Sequence, residues 1–270
     1  MDQTLQMLIL GAIQGIAEWL PVSSEGLLTL VQLHVFGKTF ATSLGTALWL
    51  HLGTVIAAVV YFRSDVVRIV RRLPSWIARR PQMTDGDRRL MDFLAIATAA
   101  TGVLGLPLLA VSFQADFVMR AATALIGGLL MLTGILQRVA RSLGTRVSTD
   151  AGTGDAILTG LMQGLAVLPG VSRSGFTVAA LLFRQFEETE ALRLSFLMSI
   201  PAILGAQVLV ELSGFVELDW SAAVAGTGAA ALVGWATIAG LIQVARRLPF
   251  WAVAVGLGVL TLIAALAIPQ

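Results

Sequence analysis

Residues 18–26 read EWLPVSSEG, and residues 169–175 read PGVSRSG. Each segment combines proline or glycine with serine and charge, and each interrupts a longer apolar stretch, at 4–36 and 155–185. Irregular backbone at membrane depth is tolerated only inside protein or beside a water-filled cavity, because lipid offers its polar groups no partners. We therefore predict that each stretch folds as a re-entrant helix pair.

The composition places the chain in a membrane. Of its 270 residues, 57% are hydrophobic and 13% are charged, whereas soluble domains have about 25% charged residues. This excludes a soluble globular enzyme. The absence of cysteine excludes disulfides, iron–sulfur clusters and thiolate zinc sites, and two histidines argue against a multi-histidine metal centre. The first residues carry Asp2 and no basic segment, so we expect no cleavable signal peptide.

Six further apolar runs are each close to the length that crosses a bilayer. They cover residues 42–62, 89–111, 117–137, 190–211, 221–245 and 250–268. We predict an all-α integral membrane protein with a single membrane domain, 1–270. It has six transmembrane helices plus the two re-entrant helix pairs.

Arginine is distributed unevenly between the predicted loops. Eight arginines lie between Arg63 and Arg89. In the predicted six-span arrangement, the connections that lie on the same side of the membrane contain Arg138, Arg141, Arg146, Arg246 and Arg247. Cytoplasmic loops are enriched in Lys and Arg, so we predict that these loops face the cytoplasm and that both termini lie outside.

The two interrupted stretches belong to an internal repeat. QGIA at 14–17 recurs as QGLA at 163–166, and a Val-Ser-x-x-Gly segment follows both copies, at an offset of 149 residues. Three predicted spans separate the copies, and an odd number of crossings inverts the second one. This predicts a 3+3 inverted-topology repeat, with repeat one about 1–140 and repeat two about 150–270. The site of such folds lies where the broken segments meet.

Glu18, Glu25 and Arg173 are the ionisable residues of the two interruptions. Charges at membrane depth are costly unless they are paired or hydrated, which makes them functional candidates. A purely structural ion pair between Glu18 and Arg173 is the simplest alternative, but it leaves the surrounding hydroxyls unexplained. Arginine, hydroxyls and backbone N–H groups at a helix start are the components of a phosphate-binding site.

These residues resemble the two signature motifs of the undecaprenyl-pyrophosphate phosphatase family, the bacitracin-resistance type. Gln14 and Glu18 match its (E/Q)xxxE pattern, residues 21–26 match PVSSxG, and residues 169–177 match PGxSRSxxT. The resemblance implies a membrane hydrolase that removes the terminal phosphate from an undecaprenyl-type polyprenyl diphosphate. The product would be the monophosphate carrier lipid of cell-envelope glycan synthesis. An outward-facing pocket in the plasma membrane and a divalent cation, Mg²⁺ or Ca²⁺, are also implied.

The same resemblance assigns roles to individual residues. Arg173 would bind the diphosphate and stabilise charge on the transferred phosphoryl group. Ser24 would be the nucleophile, or would position water, and Glu18 would be its base or a metal ligand. Gln14 would add a neutral oxygen ligand for the metal. The remaining phosphate-binding candidates are Ser23, Gly170, Ser172, Ser174 and Thr177.

Two positions depart from the family pattern. Many bacterial members have a histidine where this chain has Leu27 and a threonine where it has Glu25. Glu25 either takes over part of the acid–base or metal role or lines the mouth of the pocket. His51, within an apolar span, is interpreted as a buried structural histidine rather than a ligand.

A polyprenyl-phosphate transporter or flippase is the alternative function, because inverted repeats are a transporter architecture. The same phosphate site would then bind lipid without hydrolysis. A scaffolding role would leave the paired motifs unexplained. Glu18 and Ser24 favour the hydrolase, because transport alone does not need a nucleophile. The sequence contains no nucleic-acid-binding signature. It is compatible with both a monomer and a homo-oligomer.

Overall fold

The computed structural model describes residues 2–81, 83–114, 117–140, 144–213 and 219–268. Eleven α-helices occur in these ranges. In chain order they are α1 (Gln3–Ala17), α2 (Ser24–His34), α3 (Phe40–Tyr61), α4 (Arg63–Ile77), α5 (Asp85–Gln114), α6 (Met119–Val139), α7 (Thr153–Leu165), α8 (Arg173–Phe183), α9 (Glu188–Ser213), α10 (Trp220–Arg247) and α11 (Phe250–Ala267). A short 3₁₀ turn at Ser148–Asp150 precedes α7.

Six helices of the described ranges are long and apolar enough to cross a bilayer: α3, α5, α6, α9, α10 and α11. This confirms the predicted all-α class and the predicted number of spans. The start of α5, at Asp85, lies before the predicted start at residue 89. Its first turn carries acidic side chains, which favour a helix N-terminus. Arg141, one of the predicted loop arginines, lies outside the described residues.

The arginine-rich connection after α3, predicted from the sequence as a loop over residues 63–89, is partly helical. No residue of α4 is buried. Val67, Val70, Leu73 and Ile77 are exposed and recur every three or four residues, which places them on one side of the helix. An apolar stripe opposite arginines is typical of a helix in the membrane interface.

Both interrupted stretches are broken at the predicted places. The first break separates α1 from α2, and the second separates α7 from α8. Ser23 and Ser172 cap the helices that follow, because their side-chain oxygens accept hydrogen bonds from the N–H groups of Gly26 and Gly175, both at 3.2 Å. Each break therefore ends in a new helix start rather than in an open loop.

Close helix contacts hold the two breaks in place. A Cβ at Gly11 of α1 would lie 2.2 Å from the carbonyl oxygen of Gly226 on α10. A Cβ at Gly160 of α7 would lie 2.3 Å from the carbonyl oxygen of Ala97 on α5. Any side chain at these positions would push the helix pairs apart. The two glycines are 149 residues apart, the offset of the sequence repeat.

Trp19, within the first break, packs against α9 and α10. It is buried, its Nε1 donates to the carbonyl of Gly234 at 3.1 Å, and its ring packs edge-to-face on Phe196 with centroids 5.6 Å apart. A buried indole with a satisfied N–H is rigid. The residue directly before it, Glu18, is therefore held at a defined position.

Candidate active site

The two breaks lie against each other. The N–H of Gly170 donates to the Oγ of Ser23 at 3.1 Å, and the Oγ1 of Thr133 on α6 donates to the carbonyl of Gly170 at 3.0 Å. Gly170 has a φ of +106°, a backbone conformation that side chains disfavour. A Cβ at Gly26 would lie 2.8 Å from the nitrogen of Gly170. Helices α2 and α8 consequently begin beside each other.

Glu18 is the centre of a hydrogen-bond network between these breaks. Its side chain is 5% exposed, and its Oε1 forms an ion pair with Arg173. Its Oε2 accepts hydrogen bonds from the Oγ of Ser24 at 2.8 Å and from the Nε2 of Gln14 at 2.9 Å. The Nε2 of His51 lies 3.3 Å from the same oxygen. The network joins α1, α2, α3 and α8, so it forms only when these helices pack together.

Arg173 begins α8 and is mostly buried, with 15% of its side chain exposed. Besides Glu18, it contacts the carbonyl of Ser195 at 3.4 Å, and its guanidinium carbon lies 5.5 Å from the centre of the Phe196 ring. A guanidinium has five N–H donors. Arg173 therefore keeps donors for an anionic ligand while it remains paired with Glu18.

The phosphate-binding candidates divide into two groups. Ser23, Ser172 and Ser174 line a cavity together with Arg173. The structure does not bring Thr177 to this cavity: its side chain is fully buried and bonds to the hydroxyl of Ser195 at 2.6 Å and to the carbonyl of Arg173 at 2.8 Å. Thr177 thus fixes the start of α8.

Gly170 and Gln14 also lie behind the cavity rather than in its wall. The N–H of Gly170 is already donated to Ser23. The amide of Gln14 donates to Glu18, and its Oε1 is buried without a hydrogen-bond partner among the described residues. Both residues are therefore placed to support the site through its lining residues.

Glu25, one of the two departures from the family pattern, lines the cavity and is 5% exposed. Among the residues that the structure describes, no hydrogen-bond donor contacts its carboxylate. Leu27, the other departure, is partly buried and is not one of the lining residues. The carboxylate of Glu25 thus faces the cavity.

The cavity has a volume of about 220 Å³ and two chemically different parts. Its polar end holds Glu18, Ser24, Glu25, His51 and Arg173. Its walls come mainly from α5 and α9. Most of these wall residues are apolar, among them Gly102, Gly105, Leu106, Leu109, Ala202, Ile203 and Ala206, and the same two helices also contribute the polar side chains of Thr98, Thr101, Ser199 and Gln207. Such a cavity suits a ligand with an anionic head and an apolar chain.

Comparison with known proteins assigns the chain to a family. The profile of the family described as Bacitracin resistance protein BacA matches residues 7–263. The chain belongs to the BacA family. It is 44% identical to the undecaprenyl-diphosphatase of Methanococcoides burtonii, over 96% of this chain and 97% of the relative. It is 46% identical to that of Haloarcula marismortui, again over 96% and 97%. Identity to that of Desulfosudis oleivorans is 38%, over 92% and 93%.

The oxygen donors of this BacA-family site can be compared with those that a divalent cation needs. Hard divalent cations prefer oxygen ligands. Glu18 and Glu25 face the cavity, and no described residue donates to the Oε1 of Gln14 behind it. Within the described ranges, no group of three or more His, Cys, Asp or Glu side chains could hold a metal. These donors are too few to hold a cation alone, so a cation here would also need oxygens from a bound phosphate ligand.

His51, which the sequence indicates as a buried structural histidine, lies in the wall of the cavity. Its Nδ1 lies 2.7 Å from the carbonyl of Ala47, its Nε2 faces Glu18, and it lines the cavity. The sequence signal was available, since an ionisable side chain inside a transmembrane helix is a functional candidate. The motifs gave no reason to bring α3 to the site, because His51 lies outside both of them.

Proposed function

We propose that this protein removes the terminal phosphate of an undecaprenyl-type polyprenyl diphosphate and releases inorganic phosphate and the lipid monophosphate. The observation that supports this most directly is the Ser24 hydroxyl, which donates to Glu18 beside Arg173 at the polar end of an apolar-walled cavity. The relatives are named undecaprenyl-diphosphatase, which favours hydrolysis over transport.

Ser24 acts as the nucleophile and Glu18 as its base. As the Oγ of Ser24 bonds to the terminal phosphorus, its proton passes to Glu18 and the phosphoanhydride bond breaks. The bridging oxygen leaves with the lipid monophosphate. Water then attacks the phosphoserine, Ser24 regains the proton from Glu18, and inorganic phosphate departs. A base within hydrogen-bond distance of the hydroxyl is the arrangement that this step requires.

Arg173 and the two helix starts stabilise the transferred phosphoryl group. The guanidinium donates to the non-bridging oxygens, whose charge is spread over the group in the transition state. The N-termini of α2 and α8 carry partial positive charge, which favours an anion between them. Ser172 and Ser174 add hydroxyl donors from the wall of the cavity.

A divalent cation, Mg²⁺ or Ca²⁺, would be held by Glu18 and Glu25, which line the cavity. Gln14, a further ligand that the resemblance implies, lies behind the wall and would support Glu18 through its hydrogen bond. When bound, the cation would neutralise charge on the diphosphate. The polyprenyl chain would extend along the apolar walls between α5 and α9, where burial of each methylene contributes about 0.8 kcal/mol. The substrate class is therefore an amphiphilic diphosphate rather than a soluble phosphate ester.

The topology belongs to the same proposal. The chain is one membrane domain of two inverted repeats, the broken helix pairs re-enter from opposite faces, and the arginine-rich connections are cytoplasmic in the plasma membrane. The site then opens outward. Matched glycine contacts of α1 with α10 and of α7 with α5 support the repeat. Arginine placement supports the orientation.

The decisive experiment measures phosphate release from C55 and shorter polyprenyl diphosphates by purified protein, with Mg²⁺, Ca²⁺ or a chelator. Wild type should release phosphate, while Ser24→Ala and Arg173→Ala should lose at least about 100-fold in kcat. A wild-type protein that binds the lipid but releases no phosphate would instead support the transporter. Phosphoserine trapped at Ser24 by rapid acid quench would support the covalent route.

Orientation can be tested in the same chain, because it contains no native cysteine. Lys38 and Ala78 are both exposed; Lys38 lies just before α3, and Ala78 directly follows α4. Lys38→Cys should react with an impermeant maleimide added from outside, and Ala78→Cys should react only after permeabilisation. The reverse pattern would overturn the orientation and leave the chemistry untouched.

A further inference from the structure

His51 occupies an unusual place in α3. It is the only Asp, Glu, Lys, Arg or His residue in the helix, and its side chain is 13% exposed. Polar side chains in a transmembrane helix are costly unless they gain a partner. A packing role alone would be filled by an apolar residue at no such cost.

Two contacts fix the imidazole ring. A carbonyl oxygen can only accept, so Nδ1 donates its hydrogen to the carbonyl of Ala47 at 2.7 Å. That contact orients the ring along the helix and directs Nε2 to Oε2 of Glu18 at 3.3 Å. Because a carboxylate oxygen also only accepts, Nε2 must carry a hydrogen as well, and the ring is an imidazolium. A histidine whose second nitrogen is held by a backbone carbonyl is an oriented group.

The Oε2 atom is also the acceptor of the Ser24 hydroxyl, at 2.8 Å. A glutamate side chain has three rotatable bonds, so its carboxylate needs contacts on both oxygens to stay in one orientation. Arg173 holds Oε1. Oε2 is contacted by Gln14 from α1, Ser24 from α2 and His51 from α3. His51 is the only residue of α3 that contacts this carboxylate.

We infer that His51 is a positioning residue that holds the Glu18 carboxylate in the orientation in which Oε2 accepts the proton of Ser24. The inference rests on the proposed function, because it assigns His51 a part in the same proton transfer. His51 acts through Glu18 and needs no contact with the substrate. Its loss should therefore slow the chemical step and leave lipid binding intact.

The test compares His51→Leu with His51→Gln. Leucine keeps the volume and suits a membrane helix, but it offers no hydrogen bond. The glutamine carboxamide can place an N–H near the position of Nε2. We expect kcat to fall about 10- to 100-fold in His51→Leu, the usual cost of a lost orienting partner. KM should stay within about threefold of the wild-type value, and so should the Kd of a non-hydrolysable methylene-diphosphonate lipid. Both changes are smaller than the expected fall in kcat. His51→Gln should recover most of kcat.

His34→Leu is the matched control. His34 contacts the hydroxyl of Thr123 at 3.0 Å and does not line the cavity, so kcat should stay at the wild-type value. Wild-type kcat in His51→Leu would overturn the inference. Equal losses in the Leu and Gln variants, or losses confined to KM, would also overturn it, since both indicate packing or substrate contact. Inactive wild type would instead count against the proposed function.

Discussion

Glu18→Gln is the substitution whose effect the structure defines most closely. The carboxylate of Glu18 faces donors only: Arg173 at Oε1, and Ser24, Gln14 and His51 around Oε2. A carboxamide has one oxygen and one NH₂ group. Whichever way it turns, it presents N–H groups either to Arg173 or to the three other donors. The variant therefore cannot keep both halves of the network.

Two magnitudes follow from this geometry. Loss of the base should lower kcat by about 10²- to 10⁴-fold, the range of general-base catalysis. Arg173 is 15% exposed, so it would be left as a largely buried charge without its partner. Removal of one partner of a buried pair costs about 3–5 kcal/mol of unfolding free energy. Glu18→Gln should thus be both inactive and less stable, which calls for a control that separates the two effects.

Asp155→Asn supplies that control. Asp155 is a second buried carboxylate surrounded by donors, with Arg146 and Arg184 at 2.6 Å and the N–H of Gly152 at 2.9 Å. Both arginines reach solvent, so its loss should cost less, about 1–3 kcal/mol. Phosphate release and thermal unfolding in detergent would be measured for both variants. We expect Asp155→Asn to be destabilised but fully active per folded molecule. Glu18→Gln with kcat within about tenfold of wild type would refute the base assignment.

Four further predictions concern other parts of the chain. Gly170→Ala should lower stability by about 1–3 kcal/mol, because its φ is +106° and a Cβ would lie 2.6 Å from a carbonyl of α6. Gly128→Ala, with open space around it, is the control, and equal melting temperatures would contradict the clash. Gln207 lines the cavity, and neither end of its amide has a hydrogen-bond partner among the described residues, so in lipid-free protein Gln207→Leu should raise the unfolding free energy by about 1 kcal/mol or more; a lower melting temperature would contradict this. Burial alone would raise the pKa of Asp155, but hydrogen bonds from two arginines outweigh it and hold the pKa below its ordinary 3.8. The stability from Asp155 should thus be complete above pH 3.8 and fall as the pH drops toward the lower folded-state pKa; equal acid sensitivity in Asp155→Asn would contradict this. Glu25→Gln should weaken Mn²⁺ binding measured by electron paramagnetic resonance and improve binding of the diphosphonate lipid in chelator, and unchanged Mn²⁺ affinity would exclude Glu25 as a ligand.

The sequence was sufficient for features that depend on local chemistry. Span length and apolar composition predict the six transmembrane helices. Proline, glycine and serine clusters predict the two breaks, because they supply the turn and the helix caps. The repeated motifs also identify Glu18, Ser24 and Arg173, which the structure places in one network.

Features that depend on three-dimensional packing were not accessible in this way. His51 joins the site because α3 passes beside α1, and nothing in the local sequence around His51 encodes that contact. Thr177 fits the motif, yet the α8 backbone and Ser195 take up its hydroxyl. The amphipathic pattern of α4 was readable, but a membrane-surface helix and a charged loop differ only in the regular spacing of a few apolar residues.

The charges of the site favour the proposal that a diphosphate binds there together with a cation. Glu18 and Arg173 come from different motifs and neutralise each other, so the site is tolerable at membrane depth only after both halves of the chain have packed. The His51 imidazolium adds a positive charge and ionised Glu25 adds a negative one, to which no described residue donates. A diphosphate brings further negative charge into the same cavity. The partial positive charge of two helix starts offsets only part of this, and a divalent cation between the carboxylates and the phosphates would balance the remainder.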